Sequence, residues 1–418
     1  MKKLIKKALY WLPQNLKNPL IRSQVNVKNT LEKDNIEILV AEDKNDFETA
    51  FKLLHESYSA SGLMDRHPSG LRCNAYSFLP HTSIIVLKKD NDVIGTVSLI
   101  RDSSMGLPSD EKYKTENNEL RMNGRVLTEV SALAIDKNFR NQGHILSLML
   151  MKYLYIYSRN HSDSEYLVCT VHPRAEDFYR ALWGFQRKGK IVSYDYVKGA
   201  LAVYMCMEIS VANEQVISDF YNSSDPSINL LLYCMQEDLR FRYPKYKKGQ
   251  ILDIRMNPEL LNYFFNERTN LFSELNDFHK KMFYEIYYYY FGKDNIDKYF
   301  PQTQERVVRE YRTPTRIRAK VIHEDSVVEA VILDLSANGC FVSFFSTGRI
   351  KLNDAIEVNF AIGDKDFNVK GTSTWRNNGE NIHLPTGVGV KFEASIIQLS
   401  DELKKWMKQD DKGHKQSA

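Results

Sequence analysis

Residues 36–41 form a short apolar run that predicts a strand. Phe47, Ala50, Phe51, Leu54 and Tyr58 then recur at three- and four-residue intervals, the spacing of one helix face. Two apolar runs, 83–88 and 93–100, flank the turn-forming Lys89-Asp90-Asn91-Asp92 and predict a hairpin. A polar stretch fills 101–125. Next comes a predicted strand over 126–135 with one charged residue in it, Glu129. That strand runs into Asp136-Lys-Asn-Phe-Arg140-Asn-Gln142-Gly143-His144-Ile145, after which Leu146, Met149, Leu150, Tyr153 and Tyr157 trace one face of a long helix. A strand is predicted again at 166–171. Residues 211–305 are helical and rich in aromatics, and Leu271, Leu275, Phe278, Met282, Ile286 and Tyr289 keep one stripe. From residue 317 the pattern changes to short alternating runs at 317–321, 327–333, 339–345, 355–362, 367–375 and 387–392, which predicts a barrel. Ile396, Leu399, Leu403 and Trp406 then form the stripe of a terminal helix.

A chain of 418 residues exceeds one ordinary core, so two or three domains are expected. The 43% hydrophobic and 26% charged composition is globular, and a net charge of +4 is too mild to imply a nucleic-acid partner. The five cysteines are scattered and the ten histidines lack ligand spacing, which predicts thiols in a reducing cytoplasm and no metal. No apolar run approaches the ~18 residues of a membrane span. Residues 1–31 carry Lys2, Lys3, Lys6, Lys7, Lys17, Arg22 and Lys28 and no acid, interleaved with Leu4, Ile5, Ala8, Leu9, Tyr10, Trp11 and Leu12. No small-residue cleavage site follows the apolar run, so a signal peptide is not expected. Two readings stay open: an amphipathic segment lying on the inner, anionic face of a membrane, or a terminal helix docked on its own protein. The basic stretch 240–257 predicts a loop, either a solvated face or a contact for an acidic carrier protein.

Strand, glycine-bearing turn and helix N-terminus together make an anion site, because free backbone N–H groups and the helix dipole point outward. Arg140, Gln142, Gly143, His144 and Ile145 are the candidate residues. The turn resembles the acyl-CoA-binding motif of the GNAT acyltransferases: Arg or Gln, Gly three residues on, Gly or Ala two beyond. Arg140 and Gly143 match, and Ile145 departs from it. A bulky residue there crowds the pyrophosphate of acyl-CoA and matters less for the single phosphodiester of a phosphopantetheine thioester on acyl carrier protein. A second block, His172-Pro-Arg-Ala175-Glu-Asp-Phe-Tyr179 to Gly184-Phe185, resembles the Asn, Ala, Phe-Tyr, Gly-Phe series of that superfamily, with His172 in place of Asn and one extra residue before Gly184. In many such enzymes the tyrosine protonates the departing thiolate; Tyr179 holds that position, and a buried, satisfied aromatic is the alternative. Gly106-Leu-Pro108, Gly124-Arg125-Val-Leu-Thr-Glu129-Val-Ser131-Ala-Leu-Ala and the His172–Phe185 block resemble the N-acyl amino acid synthases of the FeeM type, which acylate an amino acid from acyl carrier protein. A protonated amine cannot attack a thioester, so a base is needed. Glu129 is the candidate, burial raising its proton affinity, with an ion pair to Arg125, Arg101 or Arg140 as the alternative. Backbone N–H groups at Ser131 or Ala132 are candidates to hold the oxyanion.

Arg312-Thr-Pro-Thr-Arg316 places two guanidiniums around a proline that forbids regular helix. Guanidinium suits phosphate and the acceptor edge of guanine. Asp334-Leu-Ser336-Ala-Asn-Gly339 links two predicted strands, and Thr374-Trp375-Arg376 and Gly387-Val-Gly389-Val-Lys-Phe392 follow. In this order and spacing the motifs resemble those of PilZ domains. The resemblance implies cyclic di-GMP as an effector, held by Arg312, Arg316, Asp334, Ser336 and Gly339.

The expected architecture is α+β. It comprises a basic amphipathic segment (1–34), a GNAT-like mixed sheet with flanking helices (35–210), a helical middle (211–305), a six-stranded antiparallel PilZ β-barrel (306–409) and a polar tail (410–418). The expected activity is cyclic di-GMP-responsive transfer of a long-chain acyl group from acyl carrier protein or acyl-CoA to the amine of an amino acid or similar small molecule. The alternatives are a catalytically inactive receptor that docks partners, and a short-chain CoA-dependent acetyltransferase.

Overall fold

A computed structural model describes residues 12–23, 35–80, 82–103, 105–122, 125–162, 164–209, 233–234, 236–244, 256–291, 293–300, 313–344, 350–362, 364–377, 386–396, 398–399 and 402. The first body is an eight-stranded mixed sheet: β1 (Ile36–Val40), β2 (Thr82–Lys89), β3 (Asp92–Arg101), β4 (Leu127–Ile135), β5 (Tyr166–Val171), β6 (Gln186–Tyr194), β7 (Ala200–Glu208) and β8 (Phe241–Arg242). Their order is β6-β7-β5-β4-β3-β2-β1-β8. The β2–β3 hairpin forms as expected, turning on Asp90 and Asn91, both at positive φ (52° and 72°). Only β4–β5 and β1–β8 are parallel.

Each face of the sheet buries its own core. Helices α1 (Gln14–Arg22), α4 (Gly143–Asn160) and α5 (Glu176–Trp183) cover one side, where Leu146, Met149, Leu150 and Tyr153 meet Ile85, Leu87, Val97, Leu99 and Leu167. Helices α2 (Lys44–Ala60) and α3 (Asp110–Met122) lie on the other. Helix α3 falls inside the stretch that the sequence marks only as polar. It has no apolar stripe because its inward positions include Asn117 and Arg121, which are buried and hydrogen-bonded. Edge strand β6 was also not expected from the sequence; Arg187, Lys188 and Lys190 are spread along it.

The middle segment packs on the sheet. Phe264, Phe265, Phe283, Tyr287 and Phe300 join Phe47, Phe51 and Phe78 of the first domain in one aromatic core, and the Tyr287 hydroxyl donates to the Phe78 carbonyl. The continuous stripe expected from 271 to 289 is broken into Leu271–Glu274 and Asp277–Phe291. Asn276 causes the break: its side chain accepts from His279 N–H (2.8 Å) and starts a new helix. The expected loop at 240–257 contributes β8, and 245–255 lie outside the described residues.

The second body is a closed barrel of β9 (Thr313–His323), β10 (Ser326–Ser336), β11 (Gly339–Ser343), β12 (Ala355–Ile362), β13 (Lys365–Asn377) and β14 (Gly387–Phe392), ordered β10-β11-β14-β13-β12-β9, all antiparallel. Its core is Ile317, Ala319, Val321, Ile332, Leu335, Val342, Val358, Val388 and Val390. Gly389 is needed because a Cβ there would sit 2.2 Å from the Trp375 indole nitrogen. Strand β10 extends three residues past its expected end, so Asp334 and Ser336 are strand residues and the turn is Ala337-Asn338 alone. Ile396 and Leu399 pack against this core as the terminal stripe predicts; Leu403 and Trp406 lie outside the described residues. Among the described residues no helix is long and apolar enough to cross a membrane.

Candidate functional site

Strands β4 and β5 run side by side for only three rungs, Leu127–Tyr166, Thr128–Leu167 and Glu129–Val168, and then part. Past that rung β4 stays on β3 as far as Ile135, while β5 stays on β7 as far as Val171. The result is a fork in the sheet with Glu129 at its root. A bulge enlarges it: three steps on β4 (Ser131 to Ala134) oppose two on β3 (Thr96 to Ser98), and Ala132 sits at φ 55°. A bulge takes one residue out of the ladder and re-aims its backbone groups. An extended chain can enter such a fork and bond to strand backbone.

Glu129 is 2% exposed, and its Oε2 accepts from Ser109 N–H at 2.9 Å. Burial pushes its carboxyl up to about 7, against the opposing pull of the Ser109 hydrogen bonds; the negative Asp110 adds to the rise and Arg121 subtracts. The arginines proposed as its ion-pair partner are Arg125, Arg101 and Arg140. Arg125 instead faces Glu165 (3.4 Å) and Glu208 (4.0 Å), and the side chain of Arg140 lies outside the described structure.

The residues holding Glu129 are ones the sequence did not single out. The amide of Asn117 donates to Ser109 Oγ (2.9 Å) and Asp110 Oδ1 (2.8 Å), and its carbonyl accepts from the Tyr204 hydroxyl (2.5 Å). Arg121 grips Asp102 through Nε and Nη2 (2.6 and 3.0 Å) and Asp110 through Nη1 and Nη2 (2.8 and 2.7 Å). Burial pushes the Asp110 carboxyl up, but Arg121 and the donors from Leu107 and Asn117 outweigh it and hold it below the usual range. Gly106-Leu107-Pro108 is the corner that brings this cluster in. Gly106 has φ 75°, a Cβ on it would lie 2.4 Å from Asp110 Oδ2, and that oxygen is pinned by Leu107 N–H and Arg121. Gly106→Ala is therefore expected to cost about 1–3 kcal/mol of stability, read as a lower denaturant midpoint at unchanged slope. An unaltered midpoint would contradict this account of the corner.

Tyr179 lies on α5, half-buried, with ring-edge contacts to Phe178 and Phe185 (centroids 5.9 and 5.8 Å). Burial pushes its hydroxyl well above the ordinary phenol value, with Cys169 adding to the rise. Cys169, buried on β5, in turn feels Glu129. The thiol thus lies within the electrostatic reach of both candidate groups. His172 caps the turn ahead of α5, its Nδ1 accepting from Arg174 N–H (3.1 Å), which is a job an asparagine side chain also does.

The candidate donor-binding turn forms as a 3₁₀ turn (Lys137–Gln142) leading into α4, which starts at Gly143. The side chains of Arg140, Gln142 and His144 lie outside the described structure; Ile145 is half-buried and packs on the α4-side core. Among the described residues no group of three His, Cys, Asp or Glu could hold a metal ion.

In the barrel, Arg312 lies outside the described residues, and Arg316 is on β9 with its side chain outside them. The register brings the two motifs together, Asp334 opposite Pro314 and Leu335 opposite Thr313. Asp334 is half-buried beside a bulge that begins at Ile332. The Ser336 hydroxyl stitches the hairpin turn, donating to Gly339 O (3.2 Å) and accepting from Asn338 N–H (3.3 Å). Two residues past Arg316, Arg318 forms an ion pair with Glu165 of the sheet domain. Glu165 also accepts from Val126 N–H (3.0 Å), and Glu165 and Tyr166 both donate from N–H to Val126 O (2.9 and 3.0 Å). The barrel strand therefore touches the chain just below the fork.

Residues 49–208 match the family model described as N-acyl amino acid synthase FeeM, and residues 306–409 match that of the PilZ domain. No curated protein matches the chain. Among solved structures, FeeM, an N-acyl amino acid synthase from uncultured soil microbes, is 24% identical with a TM-score of 0.38, over 44% of this chain and 96% of that one. The acyl-homoserine lactone synthase LasI is 19% identical with a TM-score of 0.32, over 42% and 89%. The PilZ domain of CeSA from a cellulose-synthesizing bacterium is 15% identical with a TM-score of 0.19, over 23% and 95%.

Proposed function

We propose that this chain, an acyltransferase with a FeeM-type N-acyl amino acid synthase domain joined to a PilZ domain, moves a long-chain acyl group from a thioester to the amine of an amino acid or similar small molecule, under the control of cyclic di-GMP. The observation that carries the catalytic half is Glu129, a buried carboxylate at the root of the β4–β5 fork whose proton affinity is set near neutrality. The donor arm lies in the fork. Glu129 takes a proton from the acceptor ammonium, directly or through a water, and the freed amine attacks the thioester carbon. N–H groups at Ser131 or Ala132, beside the bulge, hold the oxyanion. As the tetrahedral adduct collapses, the C–S bond breaks, Tyr179 gives its proton to the sulfur, and the second proton leaving the nitrogen passes through water to the phenolate, so that neutral amide and thiol depart and Glu129 releases the first proton to solvent. The Tyr179 phenol keeps its proton at neutral pH, so it is present in the acid form for that last step. Ile145 at the donor turn favours phosphopantetheine on acyl carrier protein over acyl-CoA. The test is mass spectrometry of products from purified protein given acyl carrier protein and CoA thioesters of several chain lengths with a panel of amines. Absence of product from every pair would leave the second reading, an inactive domain that docks partners, which Ile145 supports. Fastest turnover with acetyl-CoA would replace the long-chain reading.

The regulatory half rests on the register that puts Asp334 against the Arg312–Arg316 segment. Nucleotide gripped by Arg312 and Arg316 acts on β9, and β9 carries the Arg318–Glu165 ion pair to the base of the fork. Calorimetry is expected to show cyclic di-GMP binding that Arg312→Ala and Arg316→Ala each weaken about a hundredfold, as for lost charge-assisted phosphate contacts. Equal heats from the variants would remove the arginines from the site.

A further inference from the structure

The side of the fork from which Ser109 reaches Glu129 is ringed by contacts that the transfer step above does not use. The tip joining β6 to β7 is fastened beside the corner that holds Glu129. There the Tyr194 hydroxyl donates to Pro108 O (2.9 Å), next to Ser109, and Asp195 pairs with Lys112 of α3 (2.7 Å). Lys198 of the same tip reaches Asp65 in the loop after α2 (2.7 Å). The tip turns on Lys198 and Gly199, both at positive φ (56° and 73°), and so spans from the corner to that loop. The loop leaves α2 where Leu63 N–H donates to Tyr58 O (2.9 Å) and returns to it where Arg72 N–H donates to Phe51 O (3.0 Å). Tyr58 and Tyr76 pack against the same apolar cluster as Ala132 of the β4 bulge. Tyr58 lies within the electrostatic reach of Tyr179, and Tyr76 within that of Glu129, which closes the ring around the fork.

Arg72 stands on this ring. Its guanidinium carbon lies 4.0 Å from the centroid of the Tyr58 ring, and its Nη1 is 3.6 Å from the Met64 sulfur. Stacking holds a guanidinium by its flat face, while its five donors lie in its own plane and point past the ring. The lysines that border the tip, Lys112 and Lys198, are paired with Asp195 and Asp65.

We propose that Arg72 holds the carboxylate of the acceptor, so that the amine brought to Glu129 belongs to a free amino acid and not to a plain alkylamine or a peptide chain. The inference rests on the acyl-transfer reading above. A free amino acid carries both charges in one small molecule, an ammonium for Glu129 and a carboxylate that accepts two parallel N–H bonds from a guanidinium. A peptide keeps its terminal carboxylate far from its amine and cannot meet both groups, and the Lys198–Asp65 pair closes the rim across the path of a longer chain. Arg72 is thus a specificity-determining residue: it orients the acceptor and takes no proton.

The test compares amino acids, their amides and the amines that lack the carboxylate as acceptors for the full chain. Wild-type kcat/KM is expected to favour the acid over both analogues. Arg72→Gln is expected to raise KM for the acid about a hundredfold, as for a lost charge-assisted contact, with little change for the amide and the amine. Arg72→Lys is expected to recover part of the loss, because it restores the charge without the fork. Melting temperatures check that both variants fold. Equal kinetics of acid and amide in the wild type would overturn the assignment. So would an equal rise in KM for all three acceptors in Arg72→Gln, which would make Arg72 only a support for the Tyr58 ring. Calorimetry with N-lauroylglycine and N-lauroylglycinamide decides without turnover. Tighter binding of the acid, lost in Arg72→Gln, would support the grip, and equal binding of acid and amide would overturn it. Such discrimination without acyl transfer from any donor would sink only the catalytic reading.

Discussion

Glu129→Gln is expected to lower kcat for acyl transfer by about a hundred- to ten-thousandfold, the usual worth of a positioned general base. Glutamine keeps the shape and still accepts from Ser109 N–H, so the fold and the donor KM should change little. The wild-type rate should rise with pH and level off above about 7, because only the ionised carboxylate takes the proton and burial has set its pKa to about 7. The variant should lose that inflection. Stability should move the other way. A carboxyl with a folded pKa above its unfolded value binds more protons in the native state, so its stabilisation is complete below the unfolded pKa and is lost as pH rises through about 7. Glu129→Gln, which mimics the protonated form, should therefore melt above the wild type at alkaline pH and converge with it in acid. Full activity in the variant would remove Glu129 from the mechanism; a gap in melting temperature of opposite sign would show that the carboxylate is favourably ionised where it lies.

Arg121→Met carries the largest expected loss of stability. The guanidinium faces Asp102, which is fully buried, and Asp110, and four hydrogen bonds tie it to them. Removing it strands two carboxylates beside a third, Glu129. Breaking a buried pair in this way costs about 3–5 kcal/mol, because the remaining charge has no compensation. Equilibrium denaturation at neutral pH should show that loss. The Asp110 carboxyl is held low in the wild type, so its contribution is present above its unfolded pKa and disappears as pH falls through the lower folded value. In the variant Asp110 loses the guanidinium that holds its carboxyl low and protonates more readily, so the deficit should shrink toward acid pH. A loss below about 1 kcal/mol would mean that the cluster is no more than a solvated ion pair.

How much of this was legible beforehand follows from which interactions are periodic. The apolar runs of β2, β3, β5, β12 and β14 and the spacing of α2 and α4 state their structure outright, because burial on one or both faces repeats at a fixed interval. Helix α3 could not be seen that way. Asn117 and Arg121 occupy inward positions where a pattern reader expects leucine, and they are tolerable there only because Ser109, Asp102, Asp110 and Tyr204 arrive to satisfy them. The break before the helix Asp277–Phe291 was missed for a related reason: one capping amide at Asn276 outweighed an apolar stripe. The motif residues told the same story in reverse. Glu129 stood out because a charge inside a strand must be explained, but nothing in the sequence pointed to Ser109, whose backbone N–H donates to it from 20 residues away.

By itself the sequence determined the strands and helices that bury apolar faces, the division into a mixed-sheet domain and a barrel, and the identity of the charged residues with no bland place to go. Those properties are local, carried by side-chain period and backbone allowance. Tertiary structure alone decided where β4 leaves β5, which polar groups surround Glu129 and thereby set its proton affinity, that α1 turns its leucines outward, and that Arg318 of the barrel reaches Glu165 under the fork. Each depends on groups far apart in the chain, and the energy of a buried charge is fixed by what surrounds it in space.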